Sequence, residues 1–209
     1  RSDSCWSFGL PAFADSVKIA TKGQGEFTLT GIFLDNPFPG ISVTGIGVNG
    51  ASLGSYSKCP DLMNDLRLVN PDLVILAVGI NDAANFSVDD FVARYKVLVS
   101  QIRSVNPDCA LLFVSNNDSF RRIRRKGYVV NSNGKLAEQS FLRLGKDCDA
   151  GVWDLFDIMG GLGSMRKWEE AGLAKRDKIH FTEKGYELVG DLLFNALMDK
   201  YVEHLKKGK

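Results

Sequence analysis

Histidine is scarce in this sequence of 209 residues, which holds only His180 and His204. The four cysteines, Cys5, Cys59, Cys109 and Cys148, form no CxxC pair. Without a Cys/His cluster there is no basis for a structural zinc site, and no metal or cofactor is expected. Cys109 opens an apolar stretch and reads as a small core residue. Long apolar runs are missing as well. The longest, Leu73 to Val78 and Cys109 to Val114, have six residues each, against roughly 20 for a bilayer span, so no integral membrane segment is expected. Charge of one sign is also lacking, with 26 Lys and Arg against 25 Asp and Glu, net +1. Such a chain has no overall field to gather polyanions, which argues against a nucleic-acid partner. Arg1-Ser2-Asp3-Ser4 contains neither an initiator Met nor an apolar signal, as in a mature or truncated chain. What remains, 44% apolar and 24% charged residues, is the mix of an ordinary globular protein.

Along the chain, residues 1–40 differ from the rest. Val17 to Ala20 and Phe27 to Leu34 are strand-like around a Lys22-Gly23-Gln24-Gly25 turn. Asp35 to Gly40 holds two prolines that forbid a central strand. This stretch reads as the end of a β-rich, sandwich-like module or connector, and residues 41–209 as an α/β domain. Within that domain, strands are expected at Ile41 to Val48, Leu73 to Val78, Ala110 to Val114 and Gly151 to Phe156. Helical periodicity marks Asp61 to Leu68, Val88 to Ile102 and Leu136 to Leu144. Thr182 can cap a last helix presenting Tyr186, Val189, Leu192, Leu193, Ala196 and Leu197 on one face. Continuous apolar strands alternating with amphipathic helices predict a parallel sheet covered on both faces. Ligands bind such sheets beyond the carboxyl ends of the strands, so the loops opening at Asn49, Gly79, Ser115 and Asp157 are the ones to inspect.

The first of these loops satisfies several patterns. Gly45, Gly47 and Gly50 spell GxGxxG, but the dinucleotide fingerprint needs an acidic residue ending the next strand. That strand ends in Gly79-Ile80-Asn81, with Asp82 beyond it. Gly50-Ala51-Ser52-Leu53-Gly54 matches the GxSxG nucleophile elbow, without a His-Gly-Gly oxyanion loop to accompany it. A plain glycine-rich turn is the third reading. For the chemistry, His180 is the credible imidazole base, because His204 sits near a Lys-rich terminus. Asp177, three residues earlier, can fix its tautomer. The Gly50 amide and the Asn81 side chain can serve as oxyanion donors. The bland alternatives are an Asx turn at Asn81 and a solvated Asp177–His180 pair.

Gly50 in Asn49-Gly50-Ala51, then Gly79-Ile80-Asn81-Asp82, then Asp177-Lys178-Ile179-His180 before a final helix resemble the SGNH/GDSL hydrolase family in the right order. The surroundings, from Gly40-Ile41-Ser42 through Met159-Gly160-Gly161 to His180-Phe181-Thr182, look like a Bacteroidetes-type branch of exported members with an inserted β-sandwich. The resemblance covers about residues 41–205. It implies a three-layer α/β/α fold with a flavodoxin-like parallel sheet, and a serine esterase acting on small acyl esters, among them acetyl esters of carbohydrate. It also implies export. The family's Gly-Asp-Ser nucleophile block is absent. Ser2-Asp3-Ser4 imitates it, but no apolar strand precedes it, so the resemblance places the nucleophile upstream in the same protein.

Asn49, Asn116, Asn117 and Asp118 are candidate substrate contacts at strand ends, with a polar turn as the alternative. Arg121, Arg122, Arg124, Arg125 and Lys126 form a basic run, read as a solvated face or as a site for a carboxylate- or phosphate-bearing substrate. Trp153 and Trp168 are core or rim aromatics, or a sugar platform. Two other functional classes stay open: an α/β-hydrolase using Ser52, and a catalytically silent carbohydrate-binding domain.

Overall fold

Strand β1 (Leu73–Leu76) pairs in parallel with β2 (Ala110–Val114). The computed structural model describes residues 6–10 and 14–208. Ser4 and Cys5 lie outside the described residues. A hairpin of β3 (Phe120–Ile123) and β4 (Gly127–Val130) follows, and β5 (Gly151–Trp153) completes a three-stranded parallel sheet in the order β1-β2-β5. The helices are α1 (Leu53–Tyr56), α2 (Leu62–Val69), α3 (Val88–Val105), α4 (Asn133–Asp147), α5 (Leu155–Ile158), α6 (Ser164–Glu170) and α7 (Glu183–Lys207). A 3₁₀ turn spans Ile80–Asn85. Among the described residues no helix is long and apolar enough to cross a membrane.

The sheet is covered on both faces because side chains alternate along each strand. Leu111 and Phe113 of β2 face one core cluster, with Leu66, Phe91, Tyr95, Ile102, Phe141 and Leu144 from α2, α3 and α4. Leu112 and Val114 face the other, with Trp153, Leu155, Met165 and Phe181 and the half-buried Leu192, Leu193 and Ala196 of α7. In the first cluster Tyr95 packs edge-on against Phe91 (5.1 Å between ring centroids) and Phe113 (5.5 Å), the favoured aromatic geometry. Its hydroxyl donates to the carbonyl of Val78, which fixes the end of β1. This is an α/β/α architecture, as the apolar runs predict.

Several elements depart from the sequence expectation. Residues 14–52 contain no helix or strand. Ile41 to Val48, expected as a strand, leaves Ile41 96% and Val43 89% exposed. The run has strand-forming residues but no neighbouring strand among the described residues, and an unpaired strand leaves its backbone groups without partners. Among the described residues no strand pairs with the edge of β1 away from β2 either, and Leu73 and Ile75 are exposed. The β3–β4 hairpin and α6 were not expected. On α7, Tyr186 and Leu197 are exposed, like Phe194, Met198 and Tyr201, while the rest of the predicted face, Val189, Leu192, Leu193 and Ala196, is half-buried.

Two contacts set the start of α7. Thr182 accepts the Gly185 amide as N-cap (3.2 Å), the arrangement its hydroxyl favours. Gly185 also packs so closely that a Cβ there would lie 2.0 Å from the Leu173 carbonyl oxygen. The Asp177–His180 loop therefore enters the helix from one fixed position.

Candidate active site

Asp177 builds the loop that carries His180. Its Oδ1 accepts the amides of Ile179 (2.9 Å) and His180 (3.0 Å), closing an Asx turn. Its Oδ2 lies 2.9 Å from His180 Nδ1. One carboxylate thus shapes the backbone and orients the ring. With Nδ1 donating to the carboxylate, Nε2 is left as the acceptor. Burial raises the Asp177 pKa, but the His180 amide and ring and the Ile179 amide outweigh it, so the carboxyl sits below the usual range.

This loop is tied to the strand ends. Asn117, after β2, donates through Nδ2 to the Ile179 carbonyl (2.9 Å) and to the Asp118 carbonyl (2.8 Å). The Phe120 amide donates to the Lys178 carbonyl (3.0 Å). Lys178 Nζ pairs with Glu169 of α6 at 2.6 Å.

The loop after β1 is built around Gly79, whose φ of 143° lies in a region that L side chains avoid. A Cβ there would meet Phe91 at 2.9 Å and Asn116 Oδ1 at 3.0 Å. From this turn Asn81 Nδ2 donates to the Ala51 carbonyl (2.8 Å), and Asp82 Oδ2 accepts the Leu53 amide (3.1 Å). Burial raises the Asp82 pKa, against the opposing Leu53 amide. Asn81 and the Asn49–Gly50–Ala51 turn, about 30 residues apart, are thereby held side by side, with Gly50 at a φ of 80°.

Three of the candidate residues are engaged within the fold. Asp118 is fully buried, and its Oδ2 accepts the Met165 amide (3.0 Å) in the first turn of α6. It anchors that helix and cannot reach a substrate. Asn117 spends the two hydrogens of its amide on two carbonyls and so holds the histidine loop. Ser52 is the N-cap of α1. Its amide donates to Ser55 Oγ (3.1 Å), the two hydroxyl oxygens are 3.5 Å apart, and no hydrogen bond joins it to His180 among the described residues. Asn116, expected with Asn117 and Asp118 to face the cleft, is 8% exposed, packs against Gly79 and has a buried Nδ2 without a hydrogen-bond partner among the described residues. Among the described residues no group of three or more His, Cys, Asp or Glu could hold a metal ion.

The profile of the GDSL-like lipase/acylhydrolase family matches residues 31–188. The chain belongs to this family. Among solved structures, this family member is similar to a peptidoglycan O-acetylesterase, with 31% identity and a TM-score of 0.65 over 72% of this chain and 44% of that one. The chain thus spans less than half the length of that relative. It is also similar in fold to the acetyl xylan esterase AlAXEase (21% identity, TM-score 0.56, 73% and 79% of the two chains). A GDSL-like lipase from Bacteroides thetaiotaomicron VPI-5482 shares the fold too (16% identity, TM-score 0.55, 75% of each chain). No curated protein matches. The family profile begins at residue 31, inside the stretch that the sequence assigns to a separate module.

Proposed function

We propose that this GDSL-family chain carries the base and oxyanion donors of a serine ester hydrolase that removes acetyl groups from carbohydrate. His180 is the base, Asp177 its orienter, and the Gly50 amide and Asn81 Nδ2 the oxyanion donors. The observation that carries the reading is the 2.9 Å contact between Asp177 Oδ2 and His180 Nδ1 on a loop held by Asn117. The 31% identity to a peptidoglycan O-acetylesterase supports acetyl as the acyl group.

In this reading a serine hydroxyl gives its proton to His180 Nε2 while its oxygen attacks the ester carbon. The oxyanion is held by Gly50 and Asn81. The C–O bond to the sugar then breaks, and His180 returns the proton to the departing alcohol oxygen. Water repeats the sequence on the acyl-serine and releases acetate. No Gly-Asp-Ser stands in this sequence, so we assign the serine to an upstream strand of the same, exported protein. The edge of β1, paired with no strand among the described residues, offers a backbone ladder for such a strand.

The test is hydrolysis of an aryl acetate by the protein with its upstream sequence. Activity is expected, with near-complete loss in His180→Ala. Retained activity in that variant overturns the reading. Fluorophosphonate labelling that disappears in Ser52→Ala transfers the nucleophile to Ser52 instead.

A further inference from the structure

Five of the chain's 26 Lys and Arg residues fall within residues 120–130, which contain no Asp or Glu, while the whole chain carries a net charge of only +1. The five, Arg121, Arg122, Arg124, Arg125 and Lys126, are all exposed on the β3–β4 hairpin. None takes part in an ion pair among the described residues. The solvated cations of α3 and α4 behave differently: Lys96 and Arg143 both pair with Asp147, and Arg143 also with Asp89. Crowding like charges on one hairpin without counter-charges is unfavourable. Arg125 moreover occupies the turn at a φ of 68°, a left-handed conformation that glycine or asparagine adopts at lower cost.

The hairpin is bound to the histidine loop. The Phe120 amide donates to the Lys178 carbonyl (3.0 Å), and Lys178 Nζ sits 5.1 Å from the centre of the Tyr128 ring. Arg122 stands directly across the ladder from Tyr128. Tyr128 is 39% exposed. From Phe120 to Ile123 the strand advances roughly 10 Å, so the cations run outward from beside the Asp177–His180 turn. Near the tip, Arg122, Ile123, Arg124, Arg125 and Gly127 line a shallow concavity of about 390 Å³. Four of the five cations are arginine, whose planar fork matches a carboxylate and which is weakly hydrated.

We infer that the β3–β4 hairpin is a binding surface for an acidic polysaccharide, with uronate carboxylates on the arginines and a sugar ring against Tyr128, feeding an acetylated sugar of that polymer to His180. The inference rests on the ester-hydrolase reading for the last step only. Binding of the polymer does not depend on it.

The experiment measures binding of the chain to polygalacturonate and to xylan stripped of its acidic side groups, at about 0.15 M salt, with double-stranded DNA and anionic vesicles as comparators. Arg122→Gln/Arg124→Gln/Arg125→Gln is the test variant. Polygalacturonate is expected to bind at least about tenfold more tightly than neutral xylan, and the variant to lose about tenfold. Tyr128→Ala is expected to weaken polygalacturonate and leave any residual DNA binding unchanged. In the protein with its upstream sequence, the triple variant is expected to raise KM on acetylated pectin and to keep wild-type kcat/KM on a neutral aryl acetate. Equal affinity for the two glycans, or an unaffected variant, overturns the inference. Equally tight binding of DNA or vesicles overturns it in favour of a general polyanion surface. Loss of aryl acetate hydrolysis by the unsubstituted protein defeats the hydrolase reading and leaves the binding comparison standing.

Discussion

Asn117 and Ile179 are 62 residues apart, yet the Asn117 amide holds the Ile179 carbonyl at 2.9 Å. That bond joins the end of β2 to the turn in which Asp177 orients His180. If His180 is the base, as proposed, Asn117 positions it through this bond. In Asn117→Ala, kcat on an aryl acetate is expected to fall about tenfold or more, with KM little changed. The lost hydrogen bond should cost about 1 kcal/mol of stability. Steady-state kinetics paired with urea melts check both numbers.

Asn81 Nδ2 donates to the Ala51 carbonyl and, in the proposed reading, also serves the oxyanion. If its Nδ2 stabilises the oxyanion, Asn81→Ala should lower kcat by roughly 10²–10³. Loss of its bond to Ala51 alone would move stability by about 1 kcal/mol and leave kcat near wild type. The kinetic comparison separates the two roles.

Asp177 ties stability to pH. Its folded carboxyl lies below the usual carboxylate range, because the amides of His180 and Ile179 and the His180 ring overcome its burial. A depressed carboxyl stabilises the fold above its unfolded value, about 3.9. That contribution is lost as pH falls through the lower folded value. The stability gap between wild type and Asp177→Asn should therefore be full near pH 6 and shrink below about pH 4. Denaturant midpoints for both proteins across that range measure it.

Two glycines of the same helix should respond in opposite directions. Gly185→Ala drives a methyl to within 2.0 Å of the Leu173 carbonyl and should cost about 1–3 kcal/mol. It should also lower activity by displacing the loop before Thr182. Gly190→Ala meets nothing within 4 Å and should add about 0.5–1 kcal/mol through helix propensity. Thermal melts of the two variants are the check.

Local windows of sequence carried much of the fold. The runs at Leu73 and Ala110 are apolar without interruption, as strands buried on both faces must be, and both are strands of the parallel sheet. Phe91, Tyr95, Leu98, Val99 and Ile102 repeat at helical spacing and line α3's buried face. The β3–β4 hairpin escaped because its charge hid its pattern. Lys126-Gly127 and the β-branched Val129-Val130 were turn and strand signals, but five cations read as a solvated run.

By itself the sequence determined the strands at Leu73 and Ala110, the helices α3, α4 and α7, the Thr182 cap and the Asp177–His180 spacing, because each depends on residues within a few turns of chain. Only the tertiary structure decided that Asp118 turns inward to hold α6 while Asn117 grips the histidine loop. The two are neighbours of like polarity, and only the position of Met165 and Ile179, some 50 to 60 residues away, distinguishes them. Ile41 to Val48 shows the same division from the other side. Its composition suits a strand, but a strand exists only where a neighbour accepts its hydrogen bonds, and among the described residues none does.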